Sequence, residues 1–362
     1  MGKERFMTAL GGGEPDMVPI WDMGINESCI INIAKHFMDD VPEIKFIHEM
    51  DPNEVMALLN TLLKVLDELD FDGATMPTLT GREIVGENLT RDKLGIVSKV
   101  TPHGEPFPID GPVKSHSDLK NLTLPTPDDS WTLAVMFAKA QFQNRKAIVL
   151  HTPGTFKLSW SLRGSMETLF MDYMDDAKFV HELARKVNDY CLQVINAAFD
   201  KGVDAIILEG DLAMCENTLM SPGQYRDFIQ PYHKELTDAA HARGGLIAKH
   251  SDGNLWPILD DLLDAGFDGI HPIQPQSMDI GDVKKHLTGK ACVLGNIDCM
   301  YLLPEGTTDE VEESVKETIK IAAPGGGYIL SSSNSIHPDV KPENAIAMFR
   351  AARKYGKYPI EL

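Results

Sequence analysis

The stretch GLIAKHSDGNLWPILDDLLDAG, residues 245–266, contains the two signals on which the fold can be read. Its first half is a short apolar run that ends in Lys249-His250-Ser251-Asp252-Gly253. Its second half places Leu255, Ile258, Leu259, Leu262 and Leu263 at i, i+3, i+4, i+7 and i+8, one apolar face of a helix. Gly266 stands where a left-handed residue closes such a helix. A strand that hands over directly to an amphipathic helix is the repeating unit of a parallel sheet.

Seven further segments carry the strand half of the pattern. They are MVPIWDMG (17–24), FDGATMPT (71–78), KAIVLHTPG (146–154), VDAIILEGD (203–211), FDGIHPIQP (267–275), ACVLGNID (291–298) and GYILSSSNS (327–335). Near the end, Thr307 and Glu310 have capping-box spacing before a face of Val311, Val315, Thr318, Ile319 and Ala322, and Pro324-Gly325 closes it. Eight strand segments, most followed by a helix, predict an α/β fold of the (β/α)8 TIM-barrel type, with a doubly wound sheet as the alternative. Residues 79–145 break the rhythm. VTPHGEPFPIDGPV (100–113) is rich in Pro and Gly, so 79–145 reads as an insertion after the second strand, over the barrel mouth, within a single domain spanning 1–362.

The bulk properties narrow the function. The 362 residues are 43% hydrophobic and carry a net charge of −20. So acidic a surface repels nucleic acid and anionic membranes, and neither is an expected partner. No apolar run reaches the roughly 18 residues of a membrane span, and MGKERFMTALGGGEPD (1–16) lacks the apolar core of a secretory signal. Five cysteines without a Cys-x-x-Cys pair fit a reducing, cytoplasmic setting. The glycine clusters at 11–13 and 325–327 precede strands instead of following them, so they read as turns and not phosphate cradles.

Side chains two apart on a strand share a face, and inward residues at the carboxyl ends of barrel strands form the active site. His250 and Asp252 therefore project together, as do Glu209 with Asp211 and Asn296 with Asp298; His271 adds an imidazole on the next strand. Carboxylates and imidazoles at converging strand ends suit a catalytic zinc, which takes three protein ligands and keeps one position open. Glu209, His250, Asp252 and His271 are the candidate ligands, and His250, Asp252 and Glu209 the candidate catalytic groups. Asp252 and Asn254 also stand where a helix N-cap belongs. Trp21, Met76, Phe156 and Trp160 are candidates for an apolar pocket, and Asp22, Asp211, Asn296 and Asn334 for polar contacts to a substrate.

The succession SPGQYRDFIQPYHKEL (221–236), GGLIAKHSDGN (244–254), DAGFDGIHPIQP (264–275) and VLGNID (293–298) resembles the uroporphyrinogen decarboxylase superfamily. The N-terminal half joins in mainly through RFMTAL (5–10), VPIWD (18–22) and LRG (162–164). The resemblance implies a distorted (β/α)8 barrel and one of two activities. Decarboxylases of the superfamily grip a polycarboxylate with an arginine-rich N-terminal motif, whereas Trp21–Asn26 at the matching place has no arginine. The other branch moves methyl groups to or from corrinoid proteins and is typically zinc-dependent. Its thiol-methylating members use His-x-Cys and a later Cys; here His250 is kept, Asp252 replaces the cysteine, and Ser331–Ser335 offer none.

An oxygen-rich ligand set leaves zinc a harder Lewis acid, suited to polarising an ether oxygen. The expectation is thus an O-demethylase methyltransferase that passes the methyl of a methoxylated aromatic to cobalamin on a separate corrinoid protein. Decarboxylation, a different donor such as a methylamine or methanol, and a non-enzymatic binding module are the alternatives. The assembly state is left open, a homodimer included.

Overall fold

Seven of the eight strand segments form one curled parallel sheet. The computed structural model describes residues 2–78, 81–127 and 129–362. The sheet strands are β1 (Gly73–Pro77), β6 (Ala147–Pro153), β7 (Ala205–Glu209), β8 (Leu246–His250), β9 (Gly269–His271), β10 (Cys292–Ile297) and β11 (Tyr328–Ser332). They pair in that order, each parallel to the next, with helices between them. The doubly wound alternative fails, because its strand order would reverse part-way across the sheet.

The first strand segment, 17–24, makes isolated bridges in place of a ladder, with Met17 against Lys357 and one bridge to the sheet. Ile20 pairs with Leu330 of β11, and on its other side its carbonyl accepts from the Asp72 amide at 2.9 Å. Pro19 has no N–H to give, and the Ile20 amide is diverted to the Asp72 side chain at 2.8 Å. Asp72 is itself 1% exposed and held by Arg5 and Arg353, at 2.7 and 2.6 Å.

The alternation of the strands separates two cores. Ala147, Val149, Ala205, Ile207, Ala248, Cys292, Leu294 and Ile329 face inward and pack with Phe6, Ala9 and Leu10 of the helix Gly2–Leu10, along with Trp21. Ile148, Leu150, Ile206, Leu208, Ile247, Ile270, Val293 and Leu330 face outward to the surrounding helices. Continuing the inward parity by two residues brings every strand but β1 to its polar end: His151, Glu209, His250, His271, Asn296 and Ser331.

Residues 79–145 are not one insertion. Arg82–Gly86, Leu89–Asp92, Val97–Val100 and Pro106–Asp110 (β2 to β5) form a separate four-stranded antiparallel sheet. The helix Asp129–Phe142, by contrast, packs on β1 and β6 and is the crossover between them. Its apolar residues lie around much of its circumference, so no clean helical stripe shows in the sequence. Residues 79, 80 and 128, part of the expected insertion, lie outside the described residues.

The apolar face at 255–263 yields less helix than its spacing predicts, a 3-10 turn Trp256–Ile258 followed by the short α-helix Leu259–Asp264, while the end signals hold. Thr307 and Glu310 form the capping box of the helix Thr308–Ala322, and Gly266 has φ +93°. The two glycine clusters meet each other at the amino end of the sheet. The Gly13 carbonyl accepts from the Gly327 amide, and a Cβ on Gly326 would stand 2.4 Å from that oxygen. No helix is long and apolar enough to cross a membrane among the described residues.

Candidate functional site

His250 ends β8 with its ring buried, and Asp252 follows two residues later in the loop. Asp211 occupies the matching place after β7. These three each offer a ligand atom, all within 4.8 Å of one another. His250 Nε2 lies 3.7 Å from Asp211 Oδ1, which also accepts from the Asp252 amide at 3.1 Å. Asn334 Nδ2 donates to Asp252 Oδ2 at 2.7 Å, while the buried Oδ1 of Asp252 has no hydrogen-bond partner among the described residues. An unpartnered buried carboxylate oxygen is costly unless something else occupies its lone pairs.

The electrostatics match that picture. Burial pushes the Asp252 carboxyl up to about 7; Asp211 adds to the rise and Asn334 opposes it. Burial and the nearby Lys249 ammonium pull His250 down to about 3, so its imidazole is neutral and has a lone pair to offer. His250 Nδ1 is 2.8 Å from His271 Nδ1. Assigning the proton of that bond to His250 leaves its Nε2 free toward Asp211.

His271 is fully buried behind His250, edge-on to Trp21 at 5.2 Å. Burial holds its pKa well below the ordinary histidine value. Glu209 sits beside the trio and is ion-paired with Lys157 Nζ at 3.2 Å, while His151 Nε2, whose ring burial keeps neutral, stands 3.8 Å from its other oxygen. Burial raises the Glu209 pKa, but Lys157, His151 and His250 outweigh this and keep it below the usual value.

Other candidates have different surroundings. Met76, Phe156 and Trp160 pack into the outer core between sheet and helices, because their parity or helix face turns them away from the strand-end cluster. Trp21 faces inward but is fully buried. Asp22 is buried and accepts from the Ser332 amide at 3.0 Å; burial lifts its carboxyl to about 7. Asn296 donates to the Ile273 carbonyl at 2.8 Å. His151 and Lys157 went unmarked in the sequence. His151 was legible, since KAIVLHTPG places it inward at a strand end. Lys157 was not, since only the docking of the helix Thr155–Arg163 brings it to Glu209.

The donors fit a zinc-type ion. Two carboxylates and one neutral imidazole are a three-ligand set, and bonds of about 2.0–2.2 Å place such ligand atoms at the mutual separations expected around one ion after small side-chain shifts.

The family model for uroporphyrinogen decarboxylase (URO-D) matches residues 1–355. The chain belongs to that family. Its similarity to the uroporphyrinogen decarboxylase of Idiomarina loihiensis is 22% identity over 374 residues, covering 98% of this chain and 96% of that protein. The decarboxylase of Pseudoalteromonas atlantica is 23% identical over 265 residues, 68% of this chain and 70% of that one. The methylcobamide:CoM methyltransferase MtaA of Methanosarcina barkeri is 28% identical over 160 residues, 44% of each chain. Among solved structures, a methyltransferase from Methanosarcina mazei superposes with a TM-score of 0.76 at 18% identity over 98% of both chains. This likeness shows a shared fold. The family's matched members thus bear the names of two enzyme classes, decarboxylase and methyltransferase.

Proposed function

We propose that this protein is a zinc-dependent methyltransferase that takes the methyl group of a methoxylated aromatic and passes it to a corrinoid protein, in the cytoplasm. The observation that carries this reading is the convergence of Asp211, His250 and Asp252, with one Asp252 oxygen unpartnered. Such a set suits a hard Lewis acid, and the N-terminal stretch Trp21–Asn26 lacks the arginines that would grip a polycarboxylate. The similarity to a methylcobamide methyltransferase supports the branch. We read the fold as a distorted barrel closed by residues 17–24, with the strand-end cluster at its mouth.

Asp211, His250 and Asp252 hold the metal in this reading, and Glu209 stands next to them. When bound, zinc supplies the Lewis acidity that polarises the ether oxygen so the phenolate can leave. With the proton of the 2.8 Å Nδ1–Nδ1 contact assigned to His250, His271 accepts it and so keeps the His250 Nε2 lone pair on the metal side. Asn334 orients Asp252 through its Oδ2 and leaves Oδ1 free to ligate. Lys157 balances Glu209, which limits the negative charge beside the ligands.

The test is to add pure, zinc-loaded enzyme to cob(I)alamin and a panel of methoxyarenes. Methylcobalamin absorbance and free phenol should appear together. A silent panel with reactive methylamines or methanol would show a different donor class. Loss of carbon dioxide from uroporphyrinogen would place the protein in the decarboxylase branch.

A further inference from the structure

Lys249 is adjacent to His250 but points the opposite way, out of the inward face, by the alternation of β8. Its side chain is 1% exposed. A lysine this deep normally has a carboxylate against it. Among the described residues none lies within ion-pair distance of its ammonium. Nζ is instead directed at three backbone carbonyls: Leu208 at 3.3 Å, Gly210 at 2.7 Å, and His250.

The identity of those carbonyls gives the contact its meaning. The ladder between β7 and β8 ends at the pair Leu208 and Lys249. Beyond it the two chains have no regular pairing, yet these are the stretches that carry Glu209, Asp211, His250 and Asp252. Leu208 and Gly210 flank Glu209, Gly210 immediately precedes Asp211, and the third carbonyl belongs to His250 itself. Gly210 has φ +140°, a conformation that a side chain strains, and a Cβ there would meet Lys157 Cβ at 3.1 Å. Two further contacts join the same loops: Leu212 donates its amide to Ser251 Oγ at 2.9 Å, and Asp252 donates its amide to Asp211 Oδ1. Lys249 thus takes over the cross-strand bonding where the ladder stops.

We propose that Lys249 is a positioning residue of the metal centre, clamping the end of β7 to the end of β8 so that Asp211 and His250 stand at ligating distance. This inference rests on the metal reading above. A lysine that only fills and satisfies the core would affect stability alone; a clamp on the ligand-bearing loops must also affect metal affinity.

Lys284 supplies the control. It is also buried and donates to backbone carbonyls, those of Gly326 and Gly327, but at the amino end of the sheet, away from the cluster. Zinc affinity of the purified full-length chain is measured by competition with a chromophoric chelator. The cobalt(II)-substituted protein reports ligand geometry through its d–d bands. K249M should bind zinc about 10–100-fold more weakly than wild type, the loss typical when a support behind the ligands is removed. Its cobalt spectrum should be altered, while K284M loses stability and keeps wild-type affinity and spectrum.

G210A attacks the same contact with Lys249 intact, and should weaken zinc binding even if K249M does not fold. Wild-type zinc affinity in K249M, or in G210A if K249M is not obtained folded, overturns the proposal. So does an equal loss of affinity in K284M. A wild-type protein that takes up no metal fails differently, because it removes the metal reading itself.

Discussion

Replacing Asp252 with Asn separates the cost of this carboxylate from its use. In the metal-free protein, burial moves the Asp252 carboxyl from an ordinary 3.8 to about 7. The native state therefore keeps this proton over a pH range in which the unfolded chain has lost it. The stability so contributed is fully present below about pH 4 and is lost as pH rises through about 7. The full displacement corresponds to an ionisation penalty on the order of 4 kcal/mol, an upper figure because Asp211 shares in it.

D252N cannot ionise, and its carbonyl oxygen can still accept from Asn334. Its new amide N–H groups fall where Oδ1 has no partner, which offsets part of the gain. After chelator treatment, D252N should exceed wild type by about 2 kcal/mol near pH 8 and by almost nothing near pH 5. Urea unfolding followed by circular dichroism reads both values. Zinc should reverse the order near pH 8. At about 100 times its dissociation constant a native-state ligand adds about 2.7 kcal/mol, and only wild type should gain it. The reasoning is refuted if metal-free D252N is less stable than wild type near pH 8, or if zinc stabilises both proteins alike.

Two other outcomes follow from the same structure. H250A should lose stoichiometric zinc and methyl transfer while keeping its far-ultraviolet circular dichroism, and metal analysis that finds a full equivalent would remove His250 from the ligand set. D72A should cost about 3 kcal/mol, since it leaves the Arg5 and Arg353 guanidinium groups without a shared buried carboxylate and frees the Ile20 amide; a change in urea midpoint equivalent to less than about 1 kcal/mol would show that residues 17–24 do not depend on it.

Much of this protein is written in local pattern. The GLIAKHSDG run and the helix that follows it, the capping box at Thr307, and the closing Gly266 are set by side-chain period and backbone sterics over a few residues, so they can be read without a partner in view. The i, i+2 rule likewise put His250 and His271 on the inward face, because parity is a property of one strand. The failures arose where distant segments choose the outcome. Residues 17–24 look like a strand, but Pro19 and the side chain of Asp72, 52 residues from Ile20, reduce their pairing with the sheet to one bridge. Residues 129–142 look like part of an insertion and are a crossover helix, since only contact with β1 and β6 tells which side is buried.

The cluster shows the same division. Sequence supplied the imidazole of His250 and the carboxylates near it. Which carboxylates approach it depends on loop geometry beyond the strand ends: Glu209 is drawn to Lys157, while the turn at Gly210 and the carbonyl bonds of Lys249 carry Asp211 beside His250. A buried ammonium that acts through three main-chain oxygens leaves no mark in the sequence beyond one lysine in an apolar strand. Its role exists only once two strands have paired.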